Sequence, residues 1–145
     1  MTSEENGDSS VEALALAIGL ILRRIRVDAP PESREFSWTQ RAVLSRLAKD
    51  GPATSAELAR AEGVKPQSMG VAIAFLEERE LIERKPHPTD GRRMNVRLTA
   101  KGVALRRRTK EAKETWFAQA IAKLNKHEQA TLFKAAEIMK RMVET

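Results

Sequence analysis

The chain has 145 residues, the length of one domain, and 41% of them are hydrophobic, which is enough to form a packed core. It has no cysteine and two histidines, which excludes disulfides, thiol redox sensing and cysteine–zinc sites and disfavours a multi-histidine metal centre. The net charge of +6 is concentrated in residues 58–113, where 14 basic side chains outnumber 7 acidic ones, so this segment either binds a phosphate backbone or is a solvated basic surface.

The N-terminal part of the sequence predicts a tail followed by one long helix. Residues 1–10 are polar and acidic and are expected to be a disordered tail. From Val11 to Val27, apolar residues recur at helical spacing around most of the circumference, and residues 29–31 (Ala-Pro-Pro) end the helix. Because one small domain cannot cover such a helix, we expect a second subunit to pack against it.

Capping signals predict the next three helices. Residues 37–40 (Ser-Trp-Thr-Gln) form a capping box, and residues 54–57 (Thr-Ser-Ala-Glu) form a second one before a short helix that Gly63 ends. Pro66 suits the first turn of the helix that follows, because proline loses no needed amide there.

After Glu80 the hydrophobic period changes from 3.6 to 2. Residues 81–85 and 94–98 are predicted strands, and residues 86–93 are the turn between them, so together they form a β-hairpin with a basic tip. Thr99 then caps a long helix, and residues 125–128 (Asn-Lys-His-Glu) form a third capping box before the last helix.

The order of these elements indicates a winged helix. Residues 54–79 have the spacing of a helix-turn-helix, whose second helix fits the DNA major groove, and the hairpin that follows directly has the position of a wing. The predicted fold is therefore mainly α with a small β-hairpin wing, and the predicted partner is double-stranded DNA.

These residues resemble the MarR family of bacterial transcription regulators. The resemblance covers about residues 11–143. Its most specific segments are residues 57–59 (Glu-Leu-Ala), 76–84, 88–93 (Pro-Thr-Asp-Gly-Arg-Arg) and 98–102 (Leu-Thr-Ala-Lys-Gly).

The resemblance implies an obligate homodimer that represses transcription. Residues 36–98 would form the DNA-binding lobe, and residues 11–35 and 99–145 would supply the dimerisation helices. A two-fold dimer reads two half-sites, so a pseudo-palindromic operator is expected.

Arg92 matches the wing-tip arginine of the family, which the resemblance places in the minor groove. A guanidinium on a narrow hairpin suits the negative potential of that groove. Asp90 is expected to pair with Arg92 and fix its direction, and Arg93 to touch a phosphate or stay solvated. The alternative for Arg92 is an exposed turn with a local ion pair.

The predicted recognition helix departs from the family pattern. Gln67 and Ser68 lie in its first turn, where side chains reach bases and phosphates. Gly70 and Val71 stand where many relatives carry threonine and arginine, so arginine readout of guanine is not expected there. Val71 offers apolar contact to a thymine methyl, and Gly70 allows either close approach to DNA or tight helix packing.

Three residues around the helix-turn-helix are further candidates for phosphate contact. Thr54 and Ser55 begin the short helix, whose N-terminus suits a phosphate, and capping alone is their alternative role. Lys65 precedes the recognition helix.

The resemblance also implies a small-molecule effector. Relatives bind small aromatic acids in a cleft between the dimer helices and the DNA-binding lobe, which lowers DNA affinity. Arg23, Phe36 and Trp38 are the candidates to line this cleft, and core packing or capping is their alternative role. The basic residues at 106–108 are expected to form a solvated helix face.

No nucleophile–base pair, Gly-rich phosphate loop or paired-carboxylate spacing appears, so we expect no enzymatic activity, no cofactor and no metal site. No apolar run is long enough to span a membrane and residues 1–10 do not resemble a signal peptide, so a cytoplasmic location is expected.

A second interpretation is a winged-helix interaction module that holds proteins or nucleic acid without sensing a ligand. The tip at residues 90–93 (Asp-Gly-Arg-Arg) favours DNA, because an interaction module would favour apolar residues there.

Overall fold

The computed structural model describes residues 3–144 and contains six α-helices and one small sheet in that range. In chain order the elements are α1 (Ser3–Asp28), α2 (Trp38–Asp50), β1 (Ala53–Thr54), α3 (Ser55–Glu62), α4 (Pro66–Glu78), β2 (Ile82–Pro86), β3 (Met94–Leu98), α5 (Ala100–Ala122) and α6 (Lys126–Val143). The predicted mainly α fold with a β-hairpin wing is confirmed.

The first helix is longer than predicted. Of the expected disordered tail at residues 1–10, residues 3–10 belong to α1, and residues 1–2 lie outside the described residues. The prediction of disorder was wrong for residues 3–10. Once a strong helix has formed downstream, each added residue gains a hydrogen bond without a new nucleation cost, so polar composition alone does not stop the helix.

The N-termini of three other helices follow the predicted caps. The Ser37 side chain accepts from the Gln40 N–H while the Gln40 side chain accepts from the Ser37 N–H, which completes the capping box of α2. Asn125 completes a second box at α6, and the Thr99 hydroxyl accepts from the Gly102 N–H at the start of α5. These local hydrogen bonds fix where each helix begins.

The sheet has three antiparallel strands in the order β1-β3-β2. Ala53 lies opposite Val96, and Ile82 lies opposite Leu98. The sequence did not predict β1, because two residues are too short to show a period of 2. Its pairing with β3 ties the start of the helix-turn-helix to the hairpin.

The hydrophobic core lies between α2, α3, α4 and the sheet, and α5 closes it with Leu105. Its buried members are Phe36, Val43, Leu44, Leu47, Leu58, Ala59, Met69, Ile73, Leu76, Leu81, Ile82, Val96 and Leu105. The core residues of the helices and strands fall on the faces that the sequence periodicity predicts, whereas Phe36 and Leu81 lie just before α2 and β2.

The terminal helices lie outside this core and expose apolar side chains. On α1 these are Val11, Leu14, Leu16, Leu20, Leu22 and Val27. On α6, which has no buried residue, they are Leu132, Phe133, Ile138, Met139, Met142 and Val143. None of the described helices is long and apolar enough to cross a bilayer.

Candidate nucleic-acid interface

A tight turn joins α3 to α4 and sets the direction of the second helix. Gly63 adopts the left-handed conformation (φ 63°), and its N–H caps α3 by donating to the carbonyls of Ala59 and Arg60. Pro66 then stands at the start of α4, after an exposed Lys65. Glycine tolerates this positive φ without strain, so the two helices turn within three residues.

One face of α4 is buried in the lobe and the opposite face points outward. Met69 and Ile73 are fully buried, whereas the predicted DNA-contacting residues Gln67, Ser68 and Val71 are exposed. The spacing of Gln67 and Val71 by four residues brings them onto one helix face. Lobe packing therefore presents a free helix face of the kind that enters a DNA groove.

The N-terminus of α3 is occupied by its own side chains. Thr54 is only 6% exposed, and its hydroxyl accepts from the Glu57 N–H at 3.2 Å and donates to the Glu57 carboxylate at 2.9 Å. Thr54 is therefore an inward-facing cap, which corrects its prediction as a DNA-contacting residue. Ser55 is half-buried.

The carboxylate of Glu57 is held in its charged form. The hydrogen bond from the Thr54 hydroxyl is the main cause that lowers the pKa of Glu57, and the charge of Arg93 lowers it further. The predicted phosphate-binding end of α3 therefore carries a negative side chain, although the helix dipole there is positive.

The tip of the hairpin is organised by main-chain hydrogen bonds. The Asp90 carboxylate accepts from the Arg92 N–H at 3.1 Å, and the ring nitrogen Nδ1 of His87 accepts from the N–H groups of Thr89 and Asp90 at 3.2 Å. The predicted pairing of Asp90 with the Arg92 guanidinium was wrong, because the carboxylate binds the backbone instead. Among residues 3–144 the Arg92 side chain has no ion-pair partner and is exposed.

An ion pair connects the wing to the helix-turn-helix. The guanidinium of Arg93 lies 3.0 Å from the Glu57 carboxylate, 36 residues away in sequence. Such half-exposed pairs contribute about 0–1 kcal/mol to stability, so this contact orients the wing more than it stabilises the fold. The sequence does not indicate Glu57 as a partner of Arg93, because the two residues are 36 positions apart and belong to different elements.

The structure also forms a cleft between α2 and α5. This α2–α5 cleft has a volume of about 490 Å³. It is lined by residues of both helices, by Ile25 of α1 and by the connection before α2, among them Phe36, Trp38, Arg41, Ser45, Arg46, Lys49, Leu105, Arg106, Thr109 and Lys113.

Arg106 is only partly hydrogen-bonded in this cleft. Its guanidinium donates to the Ser45 hydroxyl at 3.1 Å, but its Nε is buried without a hydrogen-bond partner. Arg41 instead donates to the carbonyls of Ser33 and Phe36, and burial and the charge of Arg26 lower its pKa. A buried N–H without an acceptor is costly, but an anion in the cleft does not reach this inaccessible atom, so only the terminal NH₂ groups of the guanidinium are available to bind one.

The predicted effector-binding residues are placed unequally around the α2–α5 cleft. Phe36 lines it as part of the core and meets Phe75 edge-to-face at 5.6 Å, and Trp38 lies at the surface with 76% exposure. Arg23 is exposed on α1 and does not line this cleft in the single chain, so its role in a cleft of the dimer stays a prediction. The expected solvated face at residues 106–108 was wrong in part, because Arg106 is half-buried in the cleft.

No metal site is found in the described part of the chain. Within residues 3–144 no group of three or more potential metal-binding side chains is arranged to hold an ion.

The chain is similar in sequence and in fold to known proteins, among them transcriptional regulators. The family model described as MarR family matches residues 36–94. An uncharacterized HTH-type transcriptional regulator of Mycobacterium bovis is 35% identical over 131 residues, which cover 90% of each chain. An HTH-type transcriptional repressor of the same organism is 29% identical over 122 residues, 84% of this chain and 87% of that protein. The crystal structure of RV1404 from Mycobacterium tuberculosis superposes with a TM-score of 0.87 at 28% identity, covering 100% of this chain and 99% of that one.

Proposed function

The chain belongs to the MarR family of transcriptional regulators, and we propose that it acts as a homodimeric repressor that binds a pseudo-palindromic operator and is released by a small anionic ligand. In this proposal residues 36–98 form the DNA-binding lobe, and residues 11–35 and 99–145 contain the dimerisation helices. The similarity to an HTH-type transcriptional repressor supports the assignment of repression.

One arrangement carries the DNA-binding proposal: a free face of α4 and an unpaired arginine at the wing tip lie on the same lobe. In this proposal the α4 face enters the major groove, and Arg92, which is exposed at the hairpin tip, enters the adjacent minor groove. Both lie within the most basic segment of the chain, which has 14 basic and 7 acidic residues at 58–113. Binding should therefore weaken steeply as salt concentration rises.

The terminal helices carry the dimer proposal. Their exposed apolar side chains form a surface that the chain's own core does not cover, and α6 has no buried residue at all. A second copy that pairs these helices would bury that surface and place two lobes on one face of the duplex.

Replacing Arg92 with alanine should weaken operator binding by about 5- to 150-fold, which corresponds to roughly 1–3 kcal/mol for one good specific contact. The loss should be largest on operators with a narrow, A·T-rich minor groove, because that groove attracts a guanidinium most strongly. Fluorescence-anisotropy titration of labelled operator variants at fixed salt measures the effect.

Arg107→Ala is the matched control, because it removes one exposed charge from the same basic segment but from α5 rather than the wing. It should change affinity little and uniformly across operators. If Arg92→Ala binds every operator as tightly as the parent, the wing does not read the minor groove.

The α2–α5 cleft supports the effector part of the proposal. Among the described side chains of residues 7–144, Arg41, Lys49, Arg106 and Lys113 line it without forming an ion pair, and Phe36, Leu105 and Trp38 supply apolar surface. The acidic residues Asp50 and Glu62 also line the cleft, and both pair with Arg46. Cationic and apolar surfaces side by side suit an aromatic carboxylate. Because the cleft lies between the lobe and helices α1 and α5, an occupant would change the separation of the two lobes in a dimer.

Replacing Arg106 with glutamine should reduce the sensitivity to such a ligand. Salicylate should release labelled operator from the parent protein, and Arg106→Gln should need at least about tenfold more, because a charge-assisted hydrogen bond is lost. Thermodynamic linkage requires salicylate to bind the free protein more tightly than the DNA-bound protein. The ratio of these two salicylate affinities must equal the factor by which salicylate weakens DNA binding. Arg107→Gln is the control and should release operator at the same salicylate concentration as the parent. If Arg106→Gln also releases operator at that concentration, Arg106 is not the anion-binding residue.

A further inference from the structure

The outward face of α4 carries no positive charge. Pro66–Glu78 contains no lysine or arginine. Arg79, which follows the helix, folds back over the ring of Phe75, 3.4 Å from its centroid, and donates to the Phe75 carbonyl at 3.1 Å. Arginine and lysine are the side chains that pair with the O6 and N7 atoms of guanine in the major groove. This helix therefore lacks the residues that select guanine.

Val71 is the apolar side chain that this face presents. It is 71% exposed, and the neighbouring face residues Gln67 and Ala74 are exposed as well. The helix has already buried Met69 and Ile73 on its other side, so the packing of the lobe does not use Val71. A single exposed apolar residue is common on protein surfaces, so Val71 is informative only through its position in the middle of the outward α4 face.

Gly70 lies beside Val71 and has no structural need to be glycine. Its backbone is helical, and a Cβ built on it would meet no atom within 4 Å. This excludes tight packing within the chain, one of the two explanations that the sequence left open. Glycine inside a helix is less favourable than alanine, so the remaining explanation is a surface outside the chain that approaches the α4 backbone closely.

We propose that Val71 contacts the C5-methyl group of a thymine in each operator half-site, and that Gly70 lets the base edges approach the helix backbone closely enough for this contact. The thymine methyl is the apolar group displayed in the major groove. Gln67, one turn earlier, is the polar reader of the same half-site, and its amide pairs with adenine. The inference rests on the proposed DNA-binding function and adds the base class that α4 selects.

The test removes the methyl group from the DNA and the apolar side chain from the protein. The full-length protein first selects a duplex from a random-sequence library. This duplex is then synthesised in a series of versions, each with uracil in place of one thymine. At one thymine per half-site, uracil should weaken binding by the parent about fourfold, the effect of one buried methyl group. The same replacement should leave the affinity of Val71→Ala unchanged, because that variant has already lost the contact.

Gly70→Ala tests the close approach. Its thermal unfolding midpoint should stay the same or rise, because the added methyl group has open space in the lobe, whereas its operator affinity should fall about tenfold or more. An unchanged affinity would overturn the close approach.

The thymine proposal is overturned if no uracil replacement affects the parent more than Val71→Ala. In that case the proposed DNA-binding function still stands if the parent protein binds the selected duplex in a salt-dependent way. Failure of the parent to select any duplex would instead overturn the proposed function itself.

Discussion

Replacing Met139 with glutamate should convert the protein from a dimer to a monomer and lower its operator affinity at least about a hundredfold. Met139 lies on the apolar face of α6 and is 37% exposed in the single chain. In the proposed dimer that face is buried, and a carboxylate placed there without a partner opposes association. Separated lobes then bind half-sites independently and lose the effective concentration that a linked second site supplies, which is commonly worth about 10²–10⁴ in affinity.

Ala130→Glu is the matched control for this prediction. Ala130 is exposed on the polar side of α6, so the new charge stays in water and both mass and affinity should match the parent. Sedimentation velocity at micromolar concentration gives the mass, and operator titration gives the affinity. Because α6 has no buried residue, Met139→Glu should leave the lobe folded, and helical circular dichroism checks this. A Met139→Glu protein that remains dimeric would show that α6 is outside the interface.

Replacing Gly102 with alanine should destabilise the protein by about 3 kcal/mol, at the upper end of the range for overpacking. Gly102 is buried in the first turn of α5, and a Cβ there would overlap the carbonyl oxygen of Leu81 and crowd the Leu98 side chain. The same carbonyl accepts from the Thr99 N–H at 3.0 Å, so the two segments cannot separate without breaking this bond. The junction of β2 with α5 therefore requires glycine for space.

Chemical denaturation of the two variants Gly102→Ala and Gly70→Ala measures this effect. Gly70 is a helical glycine with open space around its Cβ position, so alanine there should be neutral or stabilise by about 0.5–1 kcal/mol. The same substitution should therefore act in opposite directions at the two positions. A Gly102→Ala variant as stable as the parent would be incompatible with the close contact between α5 and Leu81.

The sequence by itself located the starts of several helices and both strands of the wing. Caps at Ser37, Thr99 and Asn125 fixed helix starts because they depend on hydrogen bonds within four residues. The change of period after Glu80 located the hairpin for the same reason, since alternation is a local property of a strand. Gln67, Ser68 and Val71 were predicted to face DNA from this helix, and the structure leaves all three exposed.

Only the tertiary structure decided which charged groups remain free. Asp90 binds the Arg92 N–H rather than its guanidinium, Arg93 reaches Glu57, and Arg106 turns from an expected solvated face into the α2–α5 cleft. The contacts of Arg93 and Arg106 depend on elements far away in sequence, whose position is set by the packing of the core, whereas Asp90 binds an N–H two residues away within the hairpin turn. Long charged side chains have many rotamers of similar energy, so their final contacts follow the assembled fold and not the local pattern.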